Sequence, residues 1–210
     1  MMLSMAHILP AWLLFAALLS GAAHAAANPA TVLVFGDSLS AGFGIAQDQA
    51  WPSLLSRRLH TTHLPYTVVN ASISGETTAG GRSRLPETLD RFKPVVVIIA
   101  LGANDGLRGL PTDMLRDNLR AMIRAAKAKK ARVLLVGMRL PPNYGAEYTL
   151  AFAKAFAGVA KQEKVTLLPF LLEPLGADIA SFQADGLHPV AAAQPKLLDH
   201  VWPALKPLLK

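Results

Sequence analysis

Valine and isoleucine gather in four short runs, residues 31–35, 66–70, 95–100 and 132–137, with little polar alternation inside them. A strand with one wet face alternates apolar and polar positions, whereas a strand covered on both faces does not. These runs therefore predict strands buried on both faces. A weaker fifth run spans residues 165–168. Between the runs the apolar spacing lengthens to three and four. Leu115, Leu119, Met122, Ile123 and Ala126 make one stripe, and Tyr148, Phe152, Phe156 and Val159 another, each the inner face of a helix. A last helix is predicted from 190 to about 209, with Pro195, Pro203 and Pro207 set against its continuity. Strand and helix alternate without repeat, low-complexity tract or linker, which predicts a single parallel sheet with helices on both faces.

In such a sheet ligands bind where the loops converge, at the carboxyl ends of the strands. The polar residues follow that rule. Ser38 comes after the first run, 70–78 after the second, Asn104 and Asp105 after the third, and 139–144 after the fourth, while Asp185 and His188 precede the last helix. Five loops are thus expected to share one rim. A serine hydroxyl is a poor nucleophile at neutral pH, so it requires an imidazole to take its proton and a carboxylate to orient that imidazole. Ser38, His188 and Asp185 supply one of each, which points to nucleophilic acyl transfer by a serine esterase. Asp185 and His188 stand three apart, so a local turn can join them while the second ring nitrogen faces Ser38.

Each residue has a plainer reading when taken alone. Ser38 reads as a turn serine or helix cap, Gly75 as a backbone hinge, and Asn104 as a turn residue. Asp105 is assigned as a turn or N-cap residue, and Asp37 as a brace of the serine turn. What favours the chemical reading is their joint occurrence in the order of a family that the chain resembles.

Four blocks carry a resemblance to a known family: Gly36, Asp37, Ser38, Leu39; Asn70 through to Gly75 and Glu76; Gly102, Ala103, Asn104, Asp105; and Asp185, Gly186, Leu187, His188. In this order they resemble the SGNH branch of the GDSL hydrolases across nearly the whole mature chain. That resemblance implies a three-layer α/β sandwich of flavodoxin-like type with a mostly parallel central sheet. It makes Ser38 the nucleophile, His188 the general acid and base, and Asp185 the orienting carboxylate. It also implies an oxyanion hole from the backbone N–H groups of Ser38 and Gly75 and the side chain of Asn104. Losing one such donor commonly costs about 2.7–4 kcal/mol of transition-state stabilisation. Stretches 107–111 and 138–145 resemble the periplasmic subgroup called thioesterase I, lysophospholipase or arylesterase, and they add Leu107, Arg108, Leu110 and Pro141 as substrate-binding candidates. Loop 106–111 is read equally as a cover over acyl chains and as an ordinary connection with a hydrophobic staple. The expected reaction is hydrolysis of carboxylic esters and thioesters, including lysophospholipids. A carbohydrate O-deacetylase, an acyltransferase and a non-catalytic binding protein on the same scaffold remain open.

Other chemistries find little support. His60 and His63 stand three apart, but no third ligand accompanies them, so they are assigned to the surface of a polar connection and no metal is expected. His200 is assigned a structural role. Gly42, Phe43, Gly44 lacks the dinucleotide fingerprint and no phosphate-loop motif occurs, so no cofactor is expected. The formal charge of +7 has its densest cluster at Lys127, Lys129, Lys130 and Arg132, at a predicted helix C-terminus where cations offset the dipole. Without interleaved aromatics it does not indicate a nucleic-acid partner. The partners expected are small acyl esters or thioesters, and the protein is expected to be a monomer.

Residues 8–19 are apolar but fall short of the roughly 20 residues of a spanning helix. Ala23, His24, Ala25 follow, a small-x-small site, so residues 1–25 are read as a removed secretory signal and 26–210 as one hydrolase domain, periplasmic or secreted, with no stable membrane insertion afterwards. There is no cysteine, hence no disulfide and no lipidated N-terminal cysteine. Intact mass of the exported protein should place its N-terminus at Ala26, and a mass that retains residues 1–25 would refute the leader.

Overall fold

The five apolar runs become five strands: β1 (Ala30–Gly36), β2 (Tyr66–Asn70), β3 (Val96–Ala100), β4 (Arg132–Val136) and β5 (Thr166–Leu168). They form one sheet in the order β2-β1-β3-β4-β5, and every neighbouring pair is parallel. The computed structural model describes residues 29–209, so the expected leader lies outside the described residues. Burial on both faces holds for β3 and for most of β1 and β4. It fails for β2, where Thr67 is exposed and the other residues are half-buried, and for the first two residues of β5. These are the edge strands, which the flanking helices cover incompletely.

The helices are α1 (Ser38–Ala41), α2 (Trp51–Thr61), α3 (Thr78–Phe92), α4 (Ala103–Leu107), α5 (Thr112–Ala128), α6 (Ala146–Glu163) and α7 (Gln194–Leu205). Helix α3 packs on α5 and α5 on α6, while α2 packs on α7, giving a layer of helices on each side of the sheet. The predicted stripes are the buried faces. Leu115, Leu119, Met122, Ile123 and Ala126 of α5 and Phe152, Phe156 and Val159 of α6 are all buried, with the Phe152 and Phe156 rings edge-on at 5.4 Å. Among the described residues no helix is long and apolar enough to cross a membrane.

Two expectations change. His60 belongs to α2 rather than to a polar connection, because Trp51, Leu55 and Leu59 recur at a spacing of four and bury one side of that helix. His60 and His63 are nevertheless exposed. The terminal helix is divided: single 3₁₀ turns, Ala191–Ala193 and Lys206–Leu208, flank α7. Pro195 sits in the first turn of α7, where no backbone N–H is required, and Pro207 in the last 3₁₀ turn. The start of α7 is tied to α2 by Gln194, whose Oε1 accepts from the Trp51 N–H at 3.0 Å. His200 is structural, with Nε2 2.9 Å from the Phe170 carbonyl oxygen.

Candidate active site

Strands β1 and β3 end level, with Gly36 opposite Ala100, so the loops that leave them start side by side. Sheet order reverses at this pair, the place where a crevice opens in a doubly wound sheet. Gly36 is required by close packing. A Cβ there would lie 2.9 Å from both the Ala100 carbonyl oxygen and Ser40 Oγ. Asp37 then caps α1 by accepting from the Leu39 N–H at 3.1 Å, the bracing role expected of it, and Ser38 becomes the first residue of that short helix. The first N–H groups of a helix have no partner within it, so the Ser38 N–H is not used inside α1.

Asp185 and His188 arrive from the opposite side of the crevice on a closed loop. The Gln183 N–H donates to the His188 carbonyl at 2.8 Å, and the Val190 N–H donates to that of Ser181 at 3.0 Å. Inside the loop Gly186 takes φ 68°, and Asp185 Oδ1 accepts from the N–H groups of Leu187 (2.9 Å) and His188 (3.0 Å). This side-chain turn brings Asp185 Oδ2 to 2.7 Å from His188 Nδ1, and His188 Nε2 to 2.8 Å from Ser38 Oγ. With the Nδ1 proton donated to the carboxylate, Nε2 carries the lone pair that can accept from the serine hydroxyl. The His188 N–H, then the His188 ring, then the Leu187 N–H hold the Asp185 carboxyl down to about 2, so it stays ionised at neutral pH. Phe43 packs on the imidazole with ring centroids 4.5 Å apart, and Gln183 Nε2 fastens its loop by donating to the Phe43 carbonyl at 2.8 Å.

Gly75 and Asn104 complete the near wall. Gly75 turns at φ 78°, a conformation that suits glycine, and among the described residues no backbone group accepts from its N–H. Asn104 Nδ2 donates one proton to the Glu76 carbonyl at 3.0 Å, leaving its second proton for another acceptor. Asp105 departs from its expected role, because it lies inside α4 and reaches across to α3, whose own N-cap is Thr77. Asp105 is buried and accepts from both the N–H (2.8 Å) and the hydroxyl of Thr78 at the start of α3. Asn118 of α5 donates to the same hydroxyl at 3.2 Å. Arg84 secures the Gly75 loop from behind, donating to Glu76 Oε2 (3.0 Å) and the Ala71 carbonyl (2.9 Å). Nothing in the sequence marks Thr78, Asn118 or Arg84 as supports of the site. The pairing of Asp105 with Asn104 in one block was the only available signal for its part.

A cavity of about 600 Å³ opens here, with Ser38, Gly75, Asn104 and His188 in its wall. Leu107 and Pro141 are also wall residues, joined by Met138, Leu140, Phe170 and Leu172, so the remainder of the cavity is mainly apolar. Arg108 and Leu110 are not in the wall. Helix α4 ends at Leu107, and the chain turns away through Gly109 at φ 65°. Arg108 donates instead to the Gly75 carbonyl (3.1 Å), and the Leu110 carbonyl accepts from the Tyr148 hydroxyl (2.7 Å).

The sequence profile of the GDSL-like lipase/acylhydrolase family matches residues 34–194, a span that includes every residue just described. The chain belongs to this family. It is 53% identical to esterase TesA of Pseudomonas aeruginosa over 85% of this chain and 89% of that one. It is 41% identical to thioesterase 1/protease 1/lysophospholipase L1 of Escherichia coli K12, over 88% and 87%. A crystal structure of TesA superposes with a TM-score of 0.83, at 53% identity, covering 85% of this chain and 99% of the other. As a GDSL family member the chain is a carboxylic ester hydrolase.

The capping carboxylate has a measurable signature. Burial pushes the Asp37 carboxyl up to about 7 from an ordinary 3.8, and the charges of Asp105 and Glu76 add to the rise while the Leu39 N–H opposes it. Between these values the folded protein keeps a proton that the unfolded chain has lost. The folded state is therefore favoured at low pH, and stability falls as pH rises from about 4 to about 7. Asp37→Asn removes the ionisation and keeps an oxygen for Leu39. The Tm of the variant relative to the parent should climb across that interval and level off above pH 7. A difference independent of pH would contradict the buried, proton-holding carboxylate.

Proposed function

We propose that the protein hydrolyses carboxylic esters and thioesters through an acyl-enzyme on Ser38. The observation that carries this reading is the unbroken chain from Asp185 to His188 to Ser38, at 2.7 and 2.8 Å, standing at one end of an apolar cavity. Ser38 Oγ attacks the ester carbonyl carbon while His188 Nε2 takes its proton, and Asp185 stabilises the imidazolium that results. The carbonyl oxygen, now negative, is met by the N–H groups of Ser38 and Gly75 and by the free proton of Asn104 Nδ2. Collapse of the tetrahedral intermediate expels the alcohol, with His188 returning the proton. Water then repeats the sequence against the acyl-enzyme. A thiol of pKa about 8.5 leaves as thiolate with little acid assistance, so one site serves thioesters as well.

The cavity favours acyl chains of more than two carbons. An acetyl group would leave most of about 600 Å³ empty of contacts, which speaks against a carbohydrate deacetylase. Leu107, Met138, Leu140 and Phe170 supply the apolar surface for the chain. The names of the relatives agree with this range, since one is an esterase and another combines thioesterase and lysophospholipase. Export to the periplasm, removal of residues 1–25, a single 26–210 domain and a monomeric state belong to the same proposal. Export and cleavage rest on the small-x-small site after the apolar segment, and the single domain on the uninterrupted alternation of strand and helix.

The test is kcat/KM on p-nitrophenyl esters of increasing acyl length, with Ser38→Ala as the comparison. Activity should rise from acetyl towards medium chains, and Ser38→Ala should lose at least about a thousandfold because the nucleophile has no substitute. Retention of more than about a tenth would contradict the acyl-enzyme, and a maximum at acetyl would restore the deacetylase reading.

A further inference from the structure

The large apolar side chains that the described residues leave exposed are Phe43, Ile73, Met114, Leu150, Ile179 and Leu187. All six stand at the carboxyl edge of the sheet. Phe43 follows α1, Ile73 follows β2, Met114 and Leu150 lie in the first two turns of α5 and α6, and Ile179 and Leu187 lie between β5 and α7. Phe43 and Leu187 are in the cavity wall, and Ile73 adjoins the wall residue Ser74. Ile179, 86% exposed, falls between the wall residues Gly176 and Phe182. An isolated exposed Leu or Ile requires no explanation, but six on the one edge of the sheet that carries the cavity do.

Charge is distributed the other way. Lys93, Lys130 and Lys164 come shortly before β3, β4 and β5, so the lysines concentrate at the amino edge, farthest from the cavity. At the carboxyl edge Arg139 is paired with Glu173 at 2.9 Å and Arg116 with Asp113, Arg108 and Glu147 are exposed, and Asp178 and Asp185 bring further negative charge. That rim is apolar and carries no excess of cations, which suits a surface without net negative charge. An anionic surface would attract the opposite end of the molecule. A protein seated on the rim would close the entrance, whereas a lipid surface supplies the acyl chains that the cavity takes.

We propose that the carboxyl edge docks on the surface of zwitterionic lipid aggregates, with the exposed apolar residues entering the headgroup boundary and the cavity facing the acyl layer. An acyl chain then passes from lipid to cavity without crossing water. The proposal rests on the ester-hydrolase reading and extends it to the physical form of the substrate. The triple variant Met114→Ser, Leu150→Ser, Ile179→Ser alters no wall residue. It should keep the parent's kcat/KM on p-nitrophenyl butyrate, which also reports correct folding. On micellar lysophosphatidylcholine its rate should fall by about fivefold or more, because burial of three apolar side chains is lost.

Binding is read separately by sedimentation of Ser38→Ala protein, which leaves lipid intact, with phosphatidylcholine and phosphatidylglycerol vesicles. Phosphatidylcholine vesicles should carry the protein down, and the same triple substitution in the Ser38→Ala background should release it. Equal partition with and without the triple substitution overturns the proposal. So does binding to phosphatidylglycerol alone, or a change of oligomeric state with partition unchanged. If the parent protein hydrolysed no ester at all, the hydrolase reading would fall while the vesicle result stood on its own.

Discussion

The central strands are covered on both faces, and that constraint decides where chemistry can be done. Buried backbone must be fully hydrogen-bonded, so β1, β3 and β4 leave no room for a reactive group along their length. Polar residues are driven to the strand ends, and at the carboxyl end the reversal of order between β1 and β3 opens the only natural crevice in such a topology. The level register of Gly36 and Ala100 then fixes the Ser38 loop and the Asn104 loop as neighbours. The rest of the cavity runs over β4 and β5, where Met138, Leu140, Phe170 and Leu172 make it apolar.

The segments that carry Gly75 and Asn104 must also be held at a constant separation, and polar contacts between them do this. Asp105 accepts twice from Thr78, which joins the short helix carrying Asn104 to the helix that follows Gly75. Asn104 itself is fixed to the Glu76 carbonyl, and Arg84 pins that segment while stacking on Phe35 of β1 at 4.1 Å. A buried carboxylate is tolerated only when its oxygens are satisfied, and here each oxygen has a donor. The arrangement is preorganised: the groups proposed to meet a developing oxyanion are set before substrate arrives.

Much of this was legible in the sequence because it repeats at short range. Apolar runs without alternation gave the strands, the spacing of Leu115 to Ala126 gave α5, and Asp185 with His188 implied a turn. What was not legible depends on partners distant in the chain. Nothing local says that Asp105 accepts from Thr78 of α3, that Gln194 holds the start of α2, or that Arg84 supports the Gly75 loop. Leu107, Arg108 and Leu110 look alike as candidates in a loop. Leu107 closes α4 and faces the cavity, Arg108 is drawn to the Gly75 carbonyl, and Leu110 lies beyond the left-handed turn at Gly109. The edge strands were judged too buried for a related reason, since composition does not reveal which strand ends the sheet.

The central claim is that Ser38 and the donors of Gly75 and Asn104 converge on one point at the end of the apolar cavity. The most direct measurement is a crystal structure of the protein after reaction with an alkyl phosphonate ester, whose tetrahedral phosphorus stands in for the acyl intermediate. The account predicts phosphorus bonded to Ser38 Oγ, one phosphonyl oxygen within about 2.7–3.1 Å of the Ser38 N–H, the Gly75 N–H and Asn104 Nδ2, and the alkyl chain lying between Leu107 and Phe170. An adduct on another residue, or a phosphonyl oxygen turned away from those three donors, would contradict it.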